Sequence, residues 1–437
     1  MKPLSVTLQQ MLDARERRAR EQSALLRQAD ADECLVSFSL NIAGDVKRTP
    51  KTRLLFDQGM RVFDALGFAQ RTRTLTDAVT GTEALILVRA DAAAVKTVLE
   101  RLEDAAPWAR LFDFDVLNAA GEKLSRKEPR RCLVCGGPAA DCARSRAHGL
   151  DAVKAATDAL LEECCVDTLA STAHAALEQE LCTTPKPGLV DENNTGAHDD
   201  MDIPLFLKSA ASLVPYFRTA VRLGMRHAGM GSLRHAGLDA ERAMFEATDG
   251  VNTHKGMVYS MGLLLYGMGE AIDGGADAIG CAARLAATDA DARLARAEAA
   301  QDTNGGRVLA NFGAAGAVGE AANGFLHAVF CADRLAFYRS AGAQNPGALA
   351  LCDTMAILED TNVLHRGGRE GLRFLQDEAA RIGALDLRDR EAALLQLDAV
   401  CIRRNLSPGG SADMLALAYL LDAWRTLSKD LFGEVRA

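Results

Sequence analysis

The sequence predicts a multidomain chain, with a small α/β (α+β) domain over residues 1–155 and an all-α domain over residues 156–437. Three observations carry this expectation. The chain has 437 residues, two to three times the roughly 100–200 of a single domain. Period-two and helix-period segments alternate until about residue 120, and beyond Leu150 only helix-period segments remain. Aromatic residues are 5% of a chain that is 49% hydrophobic, so the core is aliphatic and suits close helix packing better than a large β-sandwich.

Residues 5–28 read as a helix, with Leu8, Met11, Leu12, Leu25 and Leu26 as its apolar stripe and a charged turn at Arg15, Arg17, Arg18 and Arg20. Residues 34–42 alternate apolar and polar and run into Gly44-Asp45, which predicts a strand and turn. A helix over 52–66, a short strand over 84–88 and a helix over 91–105 stopped by Pro107 follow. Residues 111–117 alternate again and close at Asn118-Ala-Ala-Gly121. The second domain opens on a long helix over 151–182. Further helices are expected at 203–223, 239–248, 255–271, 275–300, 348–358, 371–382, 389–403 and 411–428. No repeat of 20–50 residues is visible.

Charge divides with the domains. Residues 1–155 hold 25 Lys and Arg against 21 Asp and Glu, whereas the rest holds 25 against 38. A mildly basic front half suits an acidic protein partner or a phosphorylated ligand and is too weakly charged for a general nucleic-acid binder. The N-terminal stretch lacks a signal-peptide core, and the most apolar run, Met257–Met268, is too short for a membrane span. Eleven cysteines, an odd number, read as reduced thiols. The expectation is a cytoplasmic protein that binds neither nucleic acid nor membrane.

Four polar, glycine-rich stretches interrupt the helical half. Thr184-Pro-Lys-Pro-Gly-Leu-Val-Asp191 sets Lys186 between two prolines and continues through Gly188 and Asn194 to His198, Asp199, Asp200 and Asp202, residue types that suit Mg²⁺. Gly250-Val-Asn-Thr-His-Lys-Gly256 precedes an apolar helix, so Asn252, Thr253, His254, Lys255 and Gly256 stand where backbone amides bind anions. Glu359 to Gly368 carries Asp360, Asn362, Arg366, Gly367 and Gly368. Asn405 to Asp413 carries Ser407, Gly409, Gly410, Ser411 and Asp413. Singly, each has a plain structural reading: Ser411 as a helix cap, the Gly pair as a turn, the acids as solvated loop. Together they point to a polyphosphate site with Mg²⁺, although none matches a Walker-type loop.

These ordered motifs resemble the triphosphoribosyl-dephospho-CoA synthase family over about residues 170–430. The resemblance implies an all-α fold and two substrates, ATP and 3′-dephospho-CoA. It implies that the 2′-hydroxyl of dephospho-CoA attacks the anomeric carbon of the ATP ribose, adenine leaves and the triphosphate is kept. An oxocarbenium-like transition state calls for a carboxylate, a base and an acid. The candidates are Asp360, Asp413, Asp191 and Glu320, with Lys186, Lys255 and Arg366 on phosphates and His198, Asp200 and Asp202 on Mg²⁺.

In the front half, Asp113 and Asp115 lie two residues apart in a predicted strand and so share one face. Such a pair suits Mg²⁺ in nucleotidyl transfer, or simply a strand with one face in water. Cys132, Cys135, Cys142 and His148 form a C-x2-C-x6-C-x5-H pattern, open to a structural Zn²⁺ or to reduced cysteines in a basic loop. Arg130, Arg131 and Arg144 suit phosphate or a carrier protein. The run Ala14-Arg-Glu-Arg-Arg18, Leu35-Val-Ser37 with Gly44 and Lys47, Arg110 to Leu117, and Arg130 to Cys135 with Cys142-Ala-Arg144 resemble the apo-citrate lyase phosphoribosyl-dephospho-CoA transferases. Ile42-Ala-Gly44 departs from that family in lacking a proline. The resemblance implies a nucleotidyltransferase-like domain in which a serine of the citrate lyase acyl-carrier (gamma) subunit attacks the α-phosphorus and expels pyrophosphate. The two resemblances together imply a bifunctional fusion. The rival enzyme reading, the equivalent steps for malonate decarboxylase, conflicts with the citrate-type front half. A rival of another class, a non-catalytic module that sequesters dephospho-CoA or the carrier, has no use for the acids at 113, 115, 360 and 413.

Overall fold

The computed structural model describes residues 4–432 apart from 276, 289–307, 309–310, 313 and 315. It falls into two compact units: one runs up to Cys165 and includes the residues from Lys429 on, and the other is Val166–Ser428.

The first unit is built on one antiparallel sheet. Its elements are α1 (Leu8–Leu26), β1 (Glu33–Leu40), α2 (Pro50–Ala65), β2 (Gln70–Ala78), β3 (Gly81–Arg89), α3 (Ala92–Glu103), β4 (Phe112–Leu117) and α4 (Ala139–Ser145). The strands lie in the order β2-β3-β1-β4, so the unit is α+β, with every pairing antiparallel. Thr7 and Thr49 cap α1 and α2 with reciprocal capping boxes, and Pro50 takes the first turn of α2. One sheet face packs Phe38, Phe112 and Phe114 against Phe56 and Phe63 of α2; Phe38 stacks on Phe114 with ring centroids 4.1 Å apart. On the other face Leu35, Leu85 and Leu87 pack beneath Leu25 and Leu26 of α1.

Strand β4 is a sheet edge, and side chains close it. Lys96 Nζ donates to the Phe114 carbonyl at 2.9 Å, Glu103 Oε1 accepts from the Phe114 amide at 2.9 Å, and Arg130 donates to the Phe112 carbonyl at 2.9 Å. An edge so occupied cannot add a further strand. Strand β2 was not expected, and its sequence QRTRTLTDA is exposed over nearly its whole length. Helix α4 was not expected either.

The second unit is helical among the described residues. Helix α5 (Leu150–Leu181) leads into it, followed by α6 (Ile203–Met225), α7 (Met230–Ala247), α8 (Lys255–Gly274), α9 (Ala278–Ala287), α10 (Gly316–Ala322), α11 (Leu326–Ser340), α12 (Pro346–Met355), α13 (Thr361–Gly383), α14 (Leu387–Arg403) and α15 (Gly409–Phe432). The part of the expected 275–300 helix beyond residue 288 lies outside the described residues, and α10 and α11 had not been anticipated. Helix α8 is the centre of the unit, buried on every side from Met257 to Ile272. This explains its apolar composition, and no described helix is long and apolar enough to cross a membrane. Close approach to α6 needs small residues: a Cβ on Gly269 would stand 2.3 Å from the Val221 carbonyl.

The stretch Glu359–Gly368 is not a loop, because α13 starts at Thr361 on an Asp360 cap and runs through Asn362 and Arg366. Its glycines have separate causes: a Cβ on Gly367 would meet Leu406 Cδ2 at 2.5 Å, and Gly368 breaks the helix at φ 61°, ψ −163°.

Candidate functional site

A cavity of about 360 Å³ opens in the second unit where α5, the 182–202 segment and the first turns of α8, α13 and α15 meet. Its polar lining comes from Glu180, Lys186, His198, Asp200, Asn252, Thr253, His254, Asn362, His365, Arg366, Ser407, Gly409 and Asp413. Three of the helices present their N-terminal turns to it, and side chains already cap these turns: Asp360 takes the Asn362, Val363 and Ser411 amides and Asn252 takes the Lys255 amide.

The 182–202 segment is held by carboxylates behind it. Asp191 accepts from the amides of Lys186 at 2.8 Å, Asn193 at 2.8 Å and Asn194 at 3.2 Å, so its oxygens close a turn and do not face the cavity. Asp398 of α14, which the motifs do not contain, accepts from the Gly188 amide and the Asn194 side chain at 2.8 Å each. Gly188 sits at φ 74°, and a Cβ there would be 2.3 Å from the Leu406 carbonyl. The turn thereby delivers Lys186, which is 1% exposed, with Nζ 2.6 Å from Glu180 Oε1 and 2.8 Å from the Glu180 carbonyl.

His198 is fixed from both sides. Its Nδ1 lies 3.2 Å from an Arg366 guanidinium nitrogen and its Nε2 2.8 Å from Ser407 Oγ. A guanidinium only donates, so Nδ1 accepts and the proton sits on Nε2, directed at Ser407. Burial, then Arg366, pushes the imidazole pKa down, in keeping with a neutral ring. Arg366 also ties the segment together, donating to the Ala197 carbonyl at 2.7 Å and Asn405 Oδ1 at 2.8 Å. His254 is buried, with Nδ1 2.6 Å from Ser209 Oγ, which in turn lies 2.6 Å from Thr253 Oγ1. Burial, then Lys186, lowers its pKa to about 4, so its ring is neutral near pH 7.

Asp413 is the distinctive acid. It faces the cavity from the first turn of α15, beside Gly256, and makes no hydrogen bond to any described residue. Burial, reinforced by the Asp360 and Glu180 carboxylates, pushes its carboxyl pKa up to about 8. It is therefore a protonated carboxylic acid at neutral pH, able to donate. Asp360 differs. It is 1% exposed and saturated: Oδ1 accepts from the Asn362 and Val363 amides, and Oδ2 accepts from the Ser411 amide at 2.7 Å and hydroxyl at 3.0 Å. One carboxylate thus pins the starts of α13 and α15 together, and a Cβ on Gly410 would stand only 3.1 Å from its Cγ.

Several expected site residues lie elsewhere. Lys255 is exposed and pairs with Glu241 at 3.3 Å. Glu320 accepts from the His327 and Ala328 amides and meets His327 Nδ1 at 2.7 Å, capping α11. Asp202 caps α6 through the Leu205 amide at 2.9 Å, which leaves His198 and Asp200, 3.8 Å apart, at the cavity without it. Among the described residues those three are not gathered as metal ligands. Glu180, His365 and Phe206 line the cavity without having been singled out. His365 lies inside a motif already noted, whereas Glu180 had no local signal.

In the first unit, Asp113 and Asp115 do share a face, alternating with buried Phe112, Phe114 and Val116 and paired across from Ser39 and Ser37 of β1. Arg130 reaches both Asp113 at 2.9 Å and Glu103 at 3.0 Å, and Lys123 holds Asp115 at 2.7 Å. Burial pushes the Glu103 carboxyl up against the pull of Arg130. On the same unit Arg17 and Arg18 of α1 each reach Glu83 at 3.2 Å, and Arg18 reaches Ser39 Oγ at 3.4 Å. Arg144 forms an exposed pair with Asp141, and Arg131 lends its carbonyl to Arg110 at 3.0 Å. The atoms of Cys132, Cys135, Cys142 and His148 that could bind a metal all lie within 4.8 Å of one another.

Residues 166–431 match the family model described as ATP:dephospho-CoA triphosphoribosyl transferase, and residues 6–164 match the one described as apo-citrate lyase phosphoribosyl-dephospho-CoA transferase. A protein of Haemophilus influenzae named "Protein CitXG" is 35% identical over 96% of this chain and 97% of its own length. Another protein of that name, from Leuconostoc mesenteroides subsp. cremoris, is 28% identical over 95% and 97%. A Vibrio cholerae protein named "Probable 2-(5''-triphosphoribosyl)-3'-dephosphocoenzyme-A synthase" is 39% identical over 57% of this chain and 85% of its own length.

Proposed function

The chain belongs to the family of fused proteins that join an apo-citrate lyase phosphoribosyl-dephospho-CoA transferase to an ATP:dephospho-CoA triphosphoribosyl transferase, and from that premise we propose that it performs both steps in one polypeptide. It is a transferase of citrate lyase prosthetic-group biosynthesis. The helical unit takes ATP and 3′-dephospho-CoA to 2′-(5-triphosphoribosyl)-3′-dephospho-CoA and adenine. The 2′-oxygen of dephospho-CoA bonds to the anomeric carbon of the ATP ribose as its O–H bond breaks, the N-glycosidic bond breaks with its electron pair going to adenine, and the proton lost from the 2′-hydroxyl balances the one that adenine gains.

The observation that carries this reading is the cavity that brings the acid Asp413 together with the cations Lys186 and Arg366, with burial pushing the Asp413 carboxyl up. Adenine is a poor leaving group as an anion, and proton donation from Asp413 lets it leave neutral. Lys186 and Arg366 take the triphosphate. Glu180, ion-paired with Lys186, supplies the carboxylate for developing positive charge on the ribose.

The sheet unit, nucleotidyltransferase-like in this reading, transfers the product to a serine of the apo-acyl-carrier (gamma) subunit. The serine Oγ attacks the α-phosphorus and pyrophosphate leaves. Arg17, Arg18 and Arg130 over the β1–β4 face supply the cations that an acidic carrier and a phosphate need. Mg²⁺ enters as a companion of the triphosphate. Asp113 and Asp115 are already engaged by Arg130 and Lys123.

The test of the first step is adenine measured by chromatography after the full chain meets ATP and 3′-dephospho-CoA. Adenine formed only when both are present supports the reading, and none formed refutes it.

A further inference from the structure

We propose that Cys132, Cys135, Cys142 and His148 bind one structural Zn²⁺ that holds residues 130–148 in place. The donor set is three sulfurs and one imidazole nitrogen, all within 4.8 Å of one another. In a tetrahedral site with Zn–S near 2.3 Å, donor atoms stand about 3.8 Å apart. The Cys135 and Cys142 sulfurs are 3.5 Å apart, so little movement separates the present arrangement from a filled site. Soft thiolates with imidazole select Zn²⁺ over the hard cations that accompany nucleotides.

The local backbone is shaped for this purpose. Cys132-Leu-Val-Cys-Gly-Gly137 forms a tight knuckle in which the Cys132 amide donates to the Gly137 carbonyl at 2.6 Å and the Gly136 amide donates to the Cys132 carbonyl at 3.1 Å. Gly136 turns the chain at φ 73°. Cys142 comes from α4, and His148 follows that helix after Arg146 ends it in the left-handed conformation.

Two independent observations ask for a ligand. The Nε2 atom of His148 is buried without a hydrogen-bond partner, a state that costs free energy unless something satisfies it. Helix α4 buries none of its side chains, so the segment between β4 and α5 has no apolar core of its own and needs another tie. A disulfide between Cys135 and Cys142 would use two of the four groups and leave Cys132 and His148 unexplained.

The site has a positioning consequence. The carbonyls of Arg131 and Cys132 receive Arg110 at 3.0 and 3.2 Å, and the neighbouring Arg130 grips Asp113 and Glu103. A filled site therefore sets where Arg130 stands. The zinc assignment itself is independent of the reaction proposed above.

The experiment is metal analysis of the full chain, purified without added metal or chelator, by inductively coupled plasma mass spectrometry. The expected result is about one zinc per chain, the stoichiometry of a four-ligand structural site. Cys135→Ser and Cys142→Ser should each abolish most of it, while Cys182→Ser, an exposed cysteine of the other unit, leaves it intact. Cobalt substitution of the wild-type chain gives a readout that needs no variant: a thiolate-to-cobalt charge-transfer band with tetrahedral ligand-field absorption is expected. Wild-type protein that contains no zinc and whose cysteines react as free thiols would overturn the proposal. So would an intact mass showing a Cys135–Cys142 disulfide.

Discussion

Asp413→Asn separates the electrostatic account of the cavity from a merely steric one. In the native chain the Asp413 carboxyl is pushed up to about 8, whereas in an unfolded chain an aspartate titrates near 4. Between those pH values the native state holds a proton that the unfolded state has released. Stability is therefore lost as pH rises, by about 1.4 kcal/mol per pH unit, or about 3 kcal/mol between pH 5 and pH 7. Asparagine has nearly the same shape and does not titrate, so the variant lacks this slope. The assay is urea unfolding followed by fluorescence. The chain has two tryptophans, so a Trp108→Phe background leaves Trp424 reporting on the helical unit. The variant should gain about 3 kcal/mol relative to its parent from pH 5 to pH 7 and hold a constant difference above pH 8. The same variant should release adenine at least about 100-fold more slowly, since an amide cannot act as the acid. Parallel stability curves with adenine release within twofold of the parent would refute the reasoning.

Other substitutions test the remaining assignments. Arg130→Ala removes the cation shared by Asp113, Glu103 and the Phe112 carbonyl; carrier modification, read by intact mass, should fall at least about tenfold while adenine release stays within about twofold, a loss of roughly 1.4 kcal/mol or more confined to one step. Asp360→Ala leaves the Asn362, Val363 and Ser411 amides without their acceptor and should cost the helical unit about 2–4 kcal/mol, two caps' worth, measured by Trp424 fluorescence. Lys255→Ala should leave the KM for ATP unchanged in initial-rate assays, because that side chain is directed at Glu241.

Much of the molecule was legible where pattern and burial agree. Strands β1 and β4 were visible because one face of each is apolar, whereas β2 was not, because Gln70–Ala78 faces water almost throughout and gives no period-two signal. The part of α13 beyond residue 371 was expected, but its first turns, from Thr361, were hidden by Gly367 and Gly368, which read as loop; one is required by contact with Leu406 and the other breaks the helix, facts that exist only in three dimensions. The motif residues Lys186, His198, Arg366, Ser407 and Asp413 do come together at one cavity. Asp191, Asp202, Asp360 and Glu320 have the residue type for catalysis but are engaged by backbone amides, and nothing in a linear sequence separates a capping aspartate from a reacting one. Asp398 was missed for the converse reason, since it meets Gly188 and Asn194 across the fold, and Glu180 because it lies at the end of α5, just ahead of the motif that carries its partner Lys186.

The central claim is that one chain both builds and attaches the prosthetic group, and the most direct measurement is the intact mass of apo-acyl-carrier after incubation with this protein, ATP and 3′-dephospho-CoA. The account predicts a mass gain equal to the phosphoribosyl-dephospho-CoA group, accompanied by adenine and pyrophosphate and absent when either nucleotide is omitted. A carrier of unchanged mass beside full adenine release would contradict the attachment step, and an unchanged carrier with no adenine would contradict the whole account.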